Sequence, residues 1–360
     1  MSPLADVELS ERLARELLWL CSIPSPTGEE QALSHALAER LRSRGQPARR
    51  YGSSLVVPLS GGGRGPAVLL GGHLDHVRTA HDAPPRRDGD RVYGPGASDM
   101  KSGLCLMLDL AEHGPRFGVD LTLVLYAGEE GPYDRNELGA VLDSDADVRA
   151  ADIAVLLEPT DNQLELGAGG SVHVRVRFHG KSAHSARPWQ GENAIYAAVP
   201  LLTRLSTMQP VLRSTDGLVW TELVTATLAH GGRAPNVVPD SFELNLNHRF
   251  GPETTLEESE RYLRQLVGPE TELVVVDRSP PAPPERQHPL VAAFSEAGVR
   301  GVGPKLGWTD VARFHAAGIR AVNFGPGVVA QAHQDNEWTS LAELVAGRAI
   351  LERWLGAISA

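Results

Sequence analysis

Cysteine is scarce in this sequence, and long apolar runs are absent. Only Cys21 and Cys105 occur among 360 residues. They form no Cys-x-x-Cys pair and lie in apolar, helix-like stretches, so we expect two buried thiols rather than a disulfide. The longest apolar runs, at 67–70 and 121–127, are far shorter than the roughly 20 residues of a membrane span. The N-terminus has no signal-peptide pattern, so we predict a cytoplasmic protein with no membrane partner.

Positively charged residues are also fewer than negatively charged ones. Lys and Arg number 34 against 45 Asp and Glu, and the formal net charge is −11. Nucleic-acid binding needs clustered Lys and Arg that contact phosphates, so this balance argues against a nucleic-acid partner. The chain has no Gly-x-Gly-x-x-Gly after a strand-like segment and no P-loop lysine motif, which argues against a dinucleotide- or phosphate-binding protein.

The first half of the chain alternates strand-like and helix-like segments. Short unbroken apolar runs are typical of strands buried on both faces of a parallel sheet, and they occur at 67–70, 121–126 and 153–157. A helix is predicted between the first two, from Lys101 to Glu112. Thr27 and Glu30 match a capping box, which predicts a helix from there to about Arg44. This order indicates a doubly wound, mostly parallel α/β domain.

The pattern changes near residue 171. Apolar and polar residues alternate strictly at 171–179 and 242–247, which is typical of antiparallel strands with one solvated face. Helices are predicted at 193–208 and 255–266. A proline-rich stretch at 280–284 then precedes a return of parallel-strand character at 319–324. We therefore predict one domain from residues 1–170 and 286–360, interrupted by an α+β domain of an antiparallel sheet and two helices at 171–285.

Polar residues follow each of the buried strand-like runs. The first run is followed by His73 and Asp75, the second by Glu129 and Glu130, the third by Glu158, and the run at 319–324 by His333. Ligands of open α/β sheets bind at the carboxyl ends of the strands, so we expect these side chains to meet at one edge. Asp99 comes just before the helix at 101–112. A carboxylate there is also a common helix cap, but the neighbouring motifs favour a role in the site.

This set of side chains suits a pair of metal ions. Imidazole and carboxylate are zinc ligands, and the set is too large for one tetrahedral ion. It fits two metals about 3.5–4 Å apart, bridged by one carboxylate. Asp75 can fix the tautomer of His73. Of Glu129 and Glu130, one can bind metal while the other acts as general base. An adjacent Glu pair alone is common on a solvated surface, and the joint occurrence of the motifs carries the prediction.

The same motifs resemble those of a known superfamily. The segments Gly72–Asp75, Gly96–Gly103, Glu129–Gly131, Glu158–Pro159 and Ala332–His333, in this order, are similar to those of the di-zinc metallopeptidase superfamily. That superfamily includes aminoacylases, glutamate carboxypeptidases, acetylornithine deacetylase and succinyl-diaminopimelate desuccinylase. The resemblance covers nearly the whole chain.

The resemblance implies specific roles. One zinc would be held by His73, Asp99 and Glu158, and the other by Asp99, Glu130 and His333, with Co²⁺ as a substitute metal. Glu129 would be the general base, and Asp75 would orient His73. In the family the inserted domain dimerises, and a His from it stabilises the oxyanion in the partner's active site. His184 matches that residue, so the resemblance implies a homodimer formed through a lid domain.

The resemblance also bears on the substrate. Asn236 and Arg249 match substrate-binding positions. Arg249 can bind a carboxylate through two parallel hydrogen bonds, but an exposed strand arginine without a binding role is an equally good interpretation. The segment Leu306–Phe314 looks most like desuccinylases of actinobacterial type. It implies hydrolysis of N-succinyl-LL-diaminopimelate to succinate and LL-diaminopimelate in lysine biosynthesis. The alternatives are an acetylornithine deacetylase, an aminoacylase or a dipeptidase of the same superfamily. The least favoured alternative is an inactive relative that binds an amino acid.

Overall fold

The computed structural model describes residues 3–59, 65–80, 83–115 and 117–359. The helices are α1 (Pro3–Ser22), α2 (Gln31–Ser43), α3 (Lys101–His113), α4 (Leu138–Ser144), α5 (Ala146–Arg149), α6 (Ala194–Thr207), α7 (Leu256–Val267), α8 (Pro289–Ser295), α9 (Val311–Ala316) and α10 (Leu341–Ala357). The strands are β1 (Arg49–Tyr51), β2 (Ser54–Leu59), β3 (Ala67–His73), β4 (Arg86–Asp88), β5 (Arg91–Tyr93), β6 (Asp120–Tyr126), β7 (Ile153–Leu156), β8 (Leu164–Leu166), β9 (Gly170–His179), β10 (Ala183–His184), β11 (Val211–Thr215), β12 (Leu218–Gly231), β13 (Val237–Val238), β14 (Ser241–Phe250), β15 (Glu272–Ser279), β16 (Val302–Pro304), β17 (Ala321–Asn323) and β18 (Trp338–Ser340). Among the described residues, no helix is both long and apolar enough to cross a membrane.

The chain forms two compact units. The first comprises Met1–Gly167, Pro284–Lys305 and Asp310–Ala360, and the second comprises Ala168–Pro283 and Leu306–Thr309. The boundaries predicted at 170/171 and 285/286 lie at 167/168 and 283/284 in this division. Two contacts place the short segment Leu306–Thr309 with the second unit. The Gly169 N–H donates to the Gly307 carbonyl at 3.1 Å, and the Trp308 indole N–H donates to the Pro280 carbonyl at 3.1 Å.

A mostly parallel sheet forms the centre of the first unit. Its strand order is β1-β2-β6-β3-β7-β17-β8-β16, with β3 parallel to both β6 and β7. Side chains of β3, β6 and β7 are almost all buried, as unbroken apolar runs predict. Helices α1, α3 and α10 pack on one another, and α9 packs on β7 and β17. Cys21 of α1 and Cys105 of α3 are buried free thiols, as predicted.

The second unit has an antiparallel sheet of order β11-β12-β14-β9-β15. Alternate residues of β9, such as Val172 and Val174, are fully buried and form a core with Leu244 and Leu246 of β14. Helices α6 and α7 pack on this apolar face. The period-two pattern in the sequence therefore follows from a sheet with one covered face. The mixed α/β fold class is confirmed.

The predicted capping box at Thr27 is wrong. Helix α2 begins at Gln31, and no side chain caps its N-terminus. The Thr27 hydroxyl instead donates to the His76 carbonyl at 3.4 Å, and the Glu30 carboxylate accepts the Gly28 N–H at 2.7 Å. A tertiary contact overrides the local preference for a helix start here. Pro26 pairs with His76 in an isolated β-bridge, which holds this backbone in an extended form rather than at a helix start.

Candidate metal centre

The four strands that carry the predicted ligands are neighbours in the sheet of the first unit. They lie in the order β6-β3-β7-β17, and each neighbouring pair runs parallel. Their carboxyl ends therefore meet at one edge. There His73 ends β3, Glu129 and Glu130 follow β6, Glu158 follows β7, and His333 follows β17. Alignment of parallel strands, rather than closeness in sequence, brings these residues together.

The candidate ligand atoms form overlapping clusters. Among the described residues they lie within 4.8 Å of one another in three groups: His73, Asp99 and Glu158; Asp99, Glu130 and His333; and His73, Glu129 and Glu130. The Asp99 carboxylate belongs to the first two groups. Its Oδ1 is 3.2 Å from His73 Nε2, and its Oδ2 is 3.5 Å from His333 Nε2. A carboxylate placed between two imidazoles in this way can bridge two metal ions.

The site collects acidic groups away from water. Burial, only partly offset by His73, raises the pKa of Glu158 to about 7. Burial alone would lower the pKa of His73, but its hydrogen bond with Asp99 and the surrounding carboxylates raise that pKa well above its usual range. The hydrogen bond between His333 Nε2 and Glu130 Oε1, at 2.9 Å, raises the pKa of His333 to about 9. A bound cation offsets such a concentration of carboxylates.

One orphaned atom tests whether these residues suit a metal. Glu158 Oε1 is buried and has no hydrogen-bond partner among the described residues. A buried carboxylate oxygen without a partner is costly, so the fold needs a cation or another donor at this point. The donors are imidazole nitrogens and carboxylate oxygens, without a thiolate, which is the chemistry of catalytic divalent metal sites. The residues present therefore fit a metal.

Asp75 supports two parts of the site at once. Its backbone carbonyl lies 3.0 Å from His73 Nδ1, which leaves Nε2 facing Asp99. Its carboxylate lies 3.6 Å from the same Nδ1 and accepts three backbone N–H groups, those of Gly128, Glu129 and Glu130, at 3.0–3.1 Å. The side chain thus holds the turn that carries the two glutamates, while the main chain orients the imidazole.

The segment that carries His333 has an unusual backbone. His333 has φ of +62°, in the left-handed region that non-glycine residues seldom adopt. Such strain persists only where surrounding contacts impose it. The loops after β7 and β17 are tied together here, since the Thr160 hydroxyl accepts the Gly325 N–H at 3.0 Å and Asp161 N–H donates to the Gly327 carbonyl at 3.0 Å.

Two of the candidate residues in the second unit lie together, and the third does not. His184 in β10 pairs with Val237 of β13, and the Ser185 N–H donates to the Asn236 carbonyl at 2.9 Å. Arg249 lies at the other end of β14. Ser241, close to the β10–β13 pair, lies opposite His179, whereas Arg249 lies opposite Ser171. Arg249 is eight positions after Ser241 along the strand, which corresponds to about 26 Å at 3.3 Å per residue.

Two further buried carboxylates contact the segments that carry the candidate ligands, and no sequence motif marks them. Asp310 accepts a hydrogen bond from Asn136 Nδ2 at 2.7 Å and from Arg313 Nε at 2.9 Å, and so fixes the end of the loop after β6. Glu337 contacts the loop that carries Asp99. Both act on partners far away in the sequence, so no local pattern indicates them. The sequence feature that comes closest to indicating Glu337 is its position four residues after His333.

Comparison with known proteins now decides the family. The model of peptidase family M20/M25/M40 matches residues 69–357. A Mycobacterium tuberculosis protein named as a succinyl-diaminopimelate desuccinylase is 36% identical over 340 residues, covering 94% of this chain and 96% of that protein. A Corynebacterium glutamicum protein of the same name is 34% identical, covering 93% and 94%. This chain belongs to the M20/M25/M40 family. It is therefore a metal-dependent hydrolase.

Solved structures of M20 peptidases share the fold. A Staphylococcus aureus tripeptidase superposes with a TM-score of 0.79 at 20% identity, over 97% of this chain and 98% of that chain. A Bacillus subtilis protein described as a dinuclear metal-binding M20 peptidase superposes with a TM-score of 0.66 at 13% identity, over 98% and 99%. At these identities the likeness shows the mixed α/β architecture alone, and it agrees with the M20 membership found from sequence.

Proposed function

We propose that this chain hydrolyses the amide bond of N-succinyl-LL-diaminopimelate and releases succinate and LL-diaminopimelate. The observation that carries the proposal is the placement of two imidazoles and four carboxylates at the carboxyl edge of the sheet. That placement supports the chemistry. Identity of 34–36% over nearly the whole chain to proteins named as desuccinylases supports the substrate. The step belongs to lysine and diaminopimelate biosynthesis, and the cytoplasmic location expected from the sequence stays a prediction.

Zinc is the metal we propose, with Co²⁺ as a substitute. His73, Asp99 and Glu158 would hold one ion, and Asp99, Glu130 and His333 would hold the other. The orphaned Glu158 Oε1 and the absence of thiolates from the described clusters support this assignment. When bound, the two ions would polarise the scissile carbonyl and lower the pKa of the attacking water.

Glu129 is the residue we propose as general base. Burial, only partly offset by His73, raises the pKa of its carboxyl well above the usual range. A carboxylate whose pKa is raised is a stronger base than a solvated carboxylate, so it accepts a proton more readily and can afterwards return it. In this proposal a carboxylate oxygen of Glu129 takes a proton from the attacking water. The same oxygen then delivers it to the leaving nitrogen, so the residue ends each turnover as it began.

His184 is the oxyanion donor in this proposal. The Ala186 N–H donates to His184 Nδ1 at 3.0 Å. In the neutral imidazole a nitrogen that accepts a hydrogen bond leaves the proton on the other nitrogen. Nε2–H is thus available as a donor on the exposed strand β10. A donor aimed at developing negative charge lowers the barrier by about 3–4 kcal/mol. Asn236 beside it would bind the same substrate. Arg249 lies about 26 Å away along β14, so its guanidinium would bind that substrate from the other subunit of the proposed dimer.

We propose a homodimer formed through the second unit. Strand β11 is at the edge of its sheet, and its Leu212 side chain is exposed. On α6 the apolar side chains of Tyr196 and Val199 are also exposed. An open strand edge and an apolar helix face favour pairing with another chain. Sedimentation of the wild type and of Leu212→Lys tests this, since a dimer should become a monomer in the variant.

The base assignment is tested with Glu129→Gln. We expect turnover to fall by about 10²–10⁴-fold, because the amide cannot take a proton, while the bound metal stays at the wild-type level. Glu39→Gln, at an exposed position on α2, is the matched control and should keep full activity. Near-normal turnover by the Glu129 variant would remove the base assignment. Loss of metal would instead mean that Glu129 is a ligand.

The substrate is tested by measuring amine release from N-succinyl-LL-diaminopimelate and from N-acetylornithine under the same conditions. A strong preference for the succinyl substrate supports the proposal. Preference for N-acetylornithine would reassign the chain to deacetylation with the metal chemistry unchanged. Hydrolysis of neither, with metal bound, would leave the hydrolase assignment of the family and overturn the proposed substrate.

A further inference from the structure

Three backbone N–H groups of the loop that carries Asp99 point at a single side chain. The Glu337 carboxylate accepts the Ser98 N–H at 2.7 Å and the Asp99 N–H at 2.8 Å through Oε1, and the Gly96 N–H at 2.8 Å through Oε2. Glu337 is 4% exposed. Successive backbone N–H groups that converge in a turn form an anion-binding concavity, and here the protein's own carboxylate fills it.

The local backbone explains why this loop needs such a partner. Gly96 has φ of +74°, and Lys101 N–H donates to the Gly96 carbonyl at 2.8 Å, so residues 96–99 form a tight turn ahead of α3. Because Asp99 precedes the helix, its N–H has no partner within α3. Buried N–H groups without partners are costly, and three of them would be left if the carboxylate were removed.

The contact between Glu337 and the Asp99 loop joins the two segments that carry Asp99 and His333, which are both ligands of the proposed second metal. Glu337 lies four residues after His333, and its backbone carbonyl accepts the Gly94 N–H at 3.1 Å. Ser98 Oγ donates to the Trp338 carbonyl at 2.9 Å and accepts the Val328 N–H at 2.9 Å. The Asp99 loop is therefore bonded on both sides of His333.

We propose that Glu337 is a positioning residue that sets the spacing between Asp99 and His333 before metal binds. This inference rests on the proposed metal site. Of the two proposed ions, the one held by Asp99, Glu130 and His333 takes two ligands from the segments that Glu337 joins. The other shares only Asp99 with those segments. Loss of Glu337 therefore weakens the ion at His333 more than the ion at His73.

The arrangement mirrors the role of Asp75. Asp75 accepts three backbone N–H groups from the turn that carries Glu129 and Glu130, and Glu337 accepts three from the turn that carries Asp99. Each buried carboxylate thus holds one ligand-bearing turn from a distant segment. Contacts of this kind behind metal ligands change metal affinity by about 10–100-fold.

The test is a metal titration of the metal-free full chain carrying Glu337→Gln. The amide keeps one oxygen acceptor but places an NH₂ group opposite at least one N–H. We expect the wild type to bind two Zn²⁺. In the variant one of the two affinities should fall by at least about 10-fold, and the other should fall less. In the metal-free variant, the amides of Gly96, Ser98 and Asp99 should exchange hydrogen faster than in the wild type.

Asp109→Asn is the matched control. Asp109 is a buried carboxylate of α3 that pairs with Arg12 and Arg348, away from the ligands. We expect it to lower the free energy of unfolding and leave both metal affinities unchanged. If Glu337→Gln behaves like Asp109→Asn, Glu337 has only a structural role and the inference is overturned. If the wild type binds no Zn²⁺, it is the proposed metal site that fails.

Discussion

The two units place their polar candidates in opposite ways. In the first unit, His73, Asp75 and Glu158 are buried at the edge of a parallel sheet, and the ends of neighbouring strands hold them. In the second unit, His184 is exposed on the short strand β10, and Arg249 is exposed at one end of the antiparallel strand β14. Parallel strands deliver their carboxyl ends to one place, whereas antiparallel strands distribute their residues over a face. The first unit therefore supplies fixed ligand geometry, and the second supplies accessible contacts.

Removing the metal should produce the largest difference in hydrogen exchange between the two units. Every candidate ligand lies in the first unit. For one ion present at 1,000 times its Kd, binding stabilises the folded state by about 4 kcal/mol, and chelation removes that contribution. We expect hydrogen exchange in β3, β6 and β7 to speed up after chelation, with exchange in β9 and β14 unchanged. Equal acceleration in both units would contradict the separation.

Histidine substitutions in the two units should have different consequences. We expect His184→Ala to lower kcat by about 10²–10³-fold with metal content unchanged, because it removes only a donor to the oxyanion. His333→Ala should also lower metal content. The measurements are steady-state kinetics and metal analysis of each purified variant.

Mixing two inactive variants tests whether His184 acts across a dimer. If it does, an equal mixture of Glu129→Gln and His184→Ala chains should regain about a quarter of wild-type activity after subunit exchange, since half of the dimers are hybrid and each hybrid has one intact site. No recovery, with hybrid dimers demonstrated by mass spectrometry, would place His184 in its own chain's site.

Removing one ion pair from each unit should produce a smaller difference between the units, measured as the loss in free energy of unfolding. In the first unit, buried Asp145 accepts two bonds from Arg49 at 2.7 and 2.8 Å and one from Tyr51 at 3.0 Å. We expect Asp145→Asn to lower the free energy of unfolding by about 1.5–3 kcal/mol at neutral pH. In the second unit Glu243 pairs with the half-buried Arg177 at 2.9 Å, and we expect Glu243→Gln to lower the free energy of unfolding by only about 0–1 kcal/mol.

The pH dependence of the Asp145 effect has a definite sign. Burial would raise the pKa of Asp145, but bonds from Arg49, Val148 and Tyr51 outweigh it and lower that pKa. A lowered folded-state pKa stabilises the fold at pH values above the unfolded pKa, about 3.9, and the contribution disappears as the pH falls through the folded pKa. Urea unfolding at pH 7 and pH 3 measures it. A difference between wild type and variant that grows at pH 3 would contradict this account.

The strands, and the placement of the candidate ligands at their carboxyl ends, were predictable because local patterns determine them. Unbroken apolar runs mark β3, β6 and β7, and the residues that follow each run lie at the strand end by chain connectivity alone. Helix α7 was predictable for the same reason, since Thr255 and Glu258 form the capping box that their spacing indicates. Thr27 and Glu30 have the same spacing but no such box, because β-pairing of Pro26 with His76 overrides the local preference.

Long-range partners were not predictable. Asp310 contacts Asn136 across 174 residues, and Glu337 contacts Asp99 across 238 residues. An acidic residue near a helix start or after a His has many local explanations, and nothing in the sequence distinguishes a side chain that will accept N–H groups from a remote turn. The strand pairing that brings those segments together must be known first.

The position of β17 has a consequence for how the chain is made. This strand lies between β7 and β8, although it is translated after the whole of the second unit. A growing chain on the ribosome therefore carries His73, Asp99 and Glu158 while the neighbour of β7 is still missing. At synthesis rates of about 5–20 residues per second the sheet stays incomplete for on the order of ten seconds, with one edge of β7 open to chaperones or to other nascent chains.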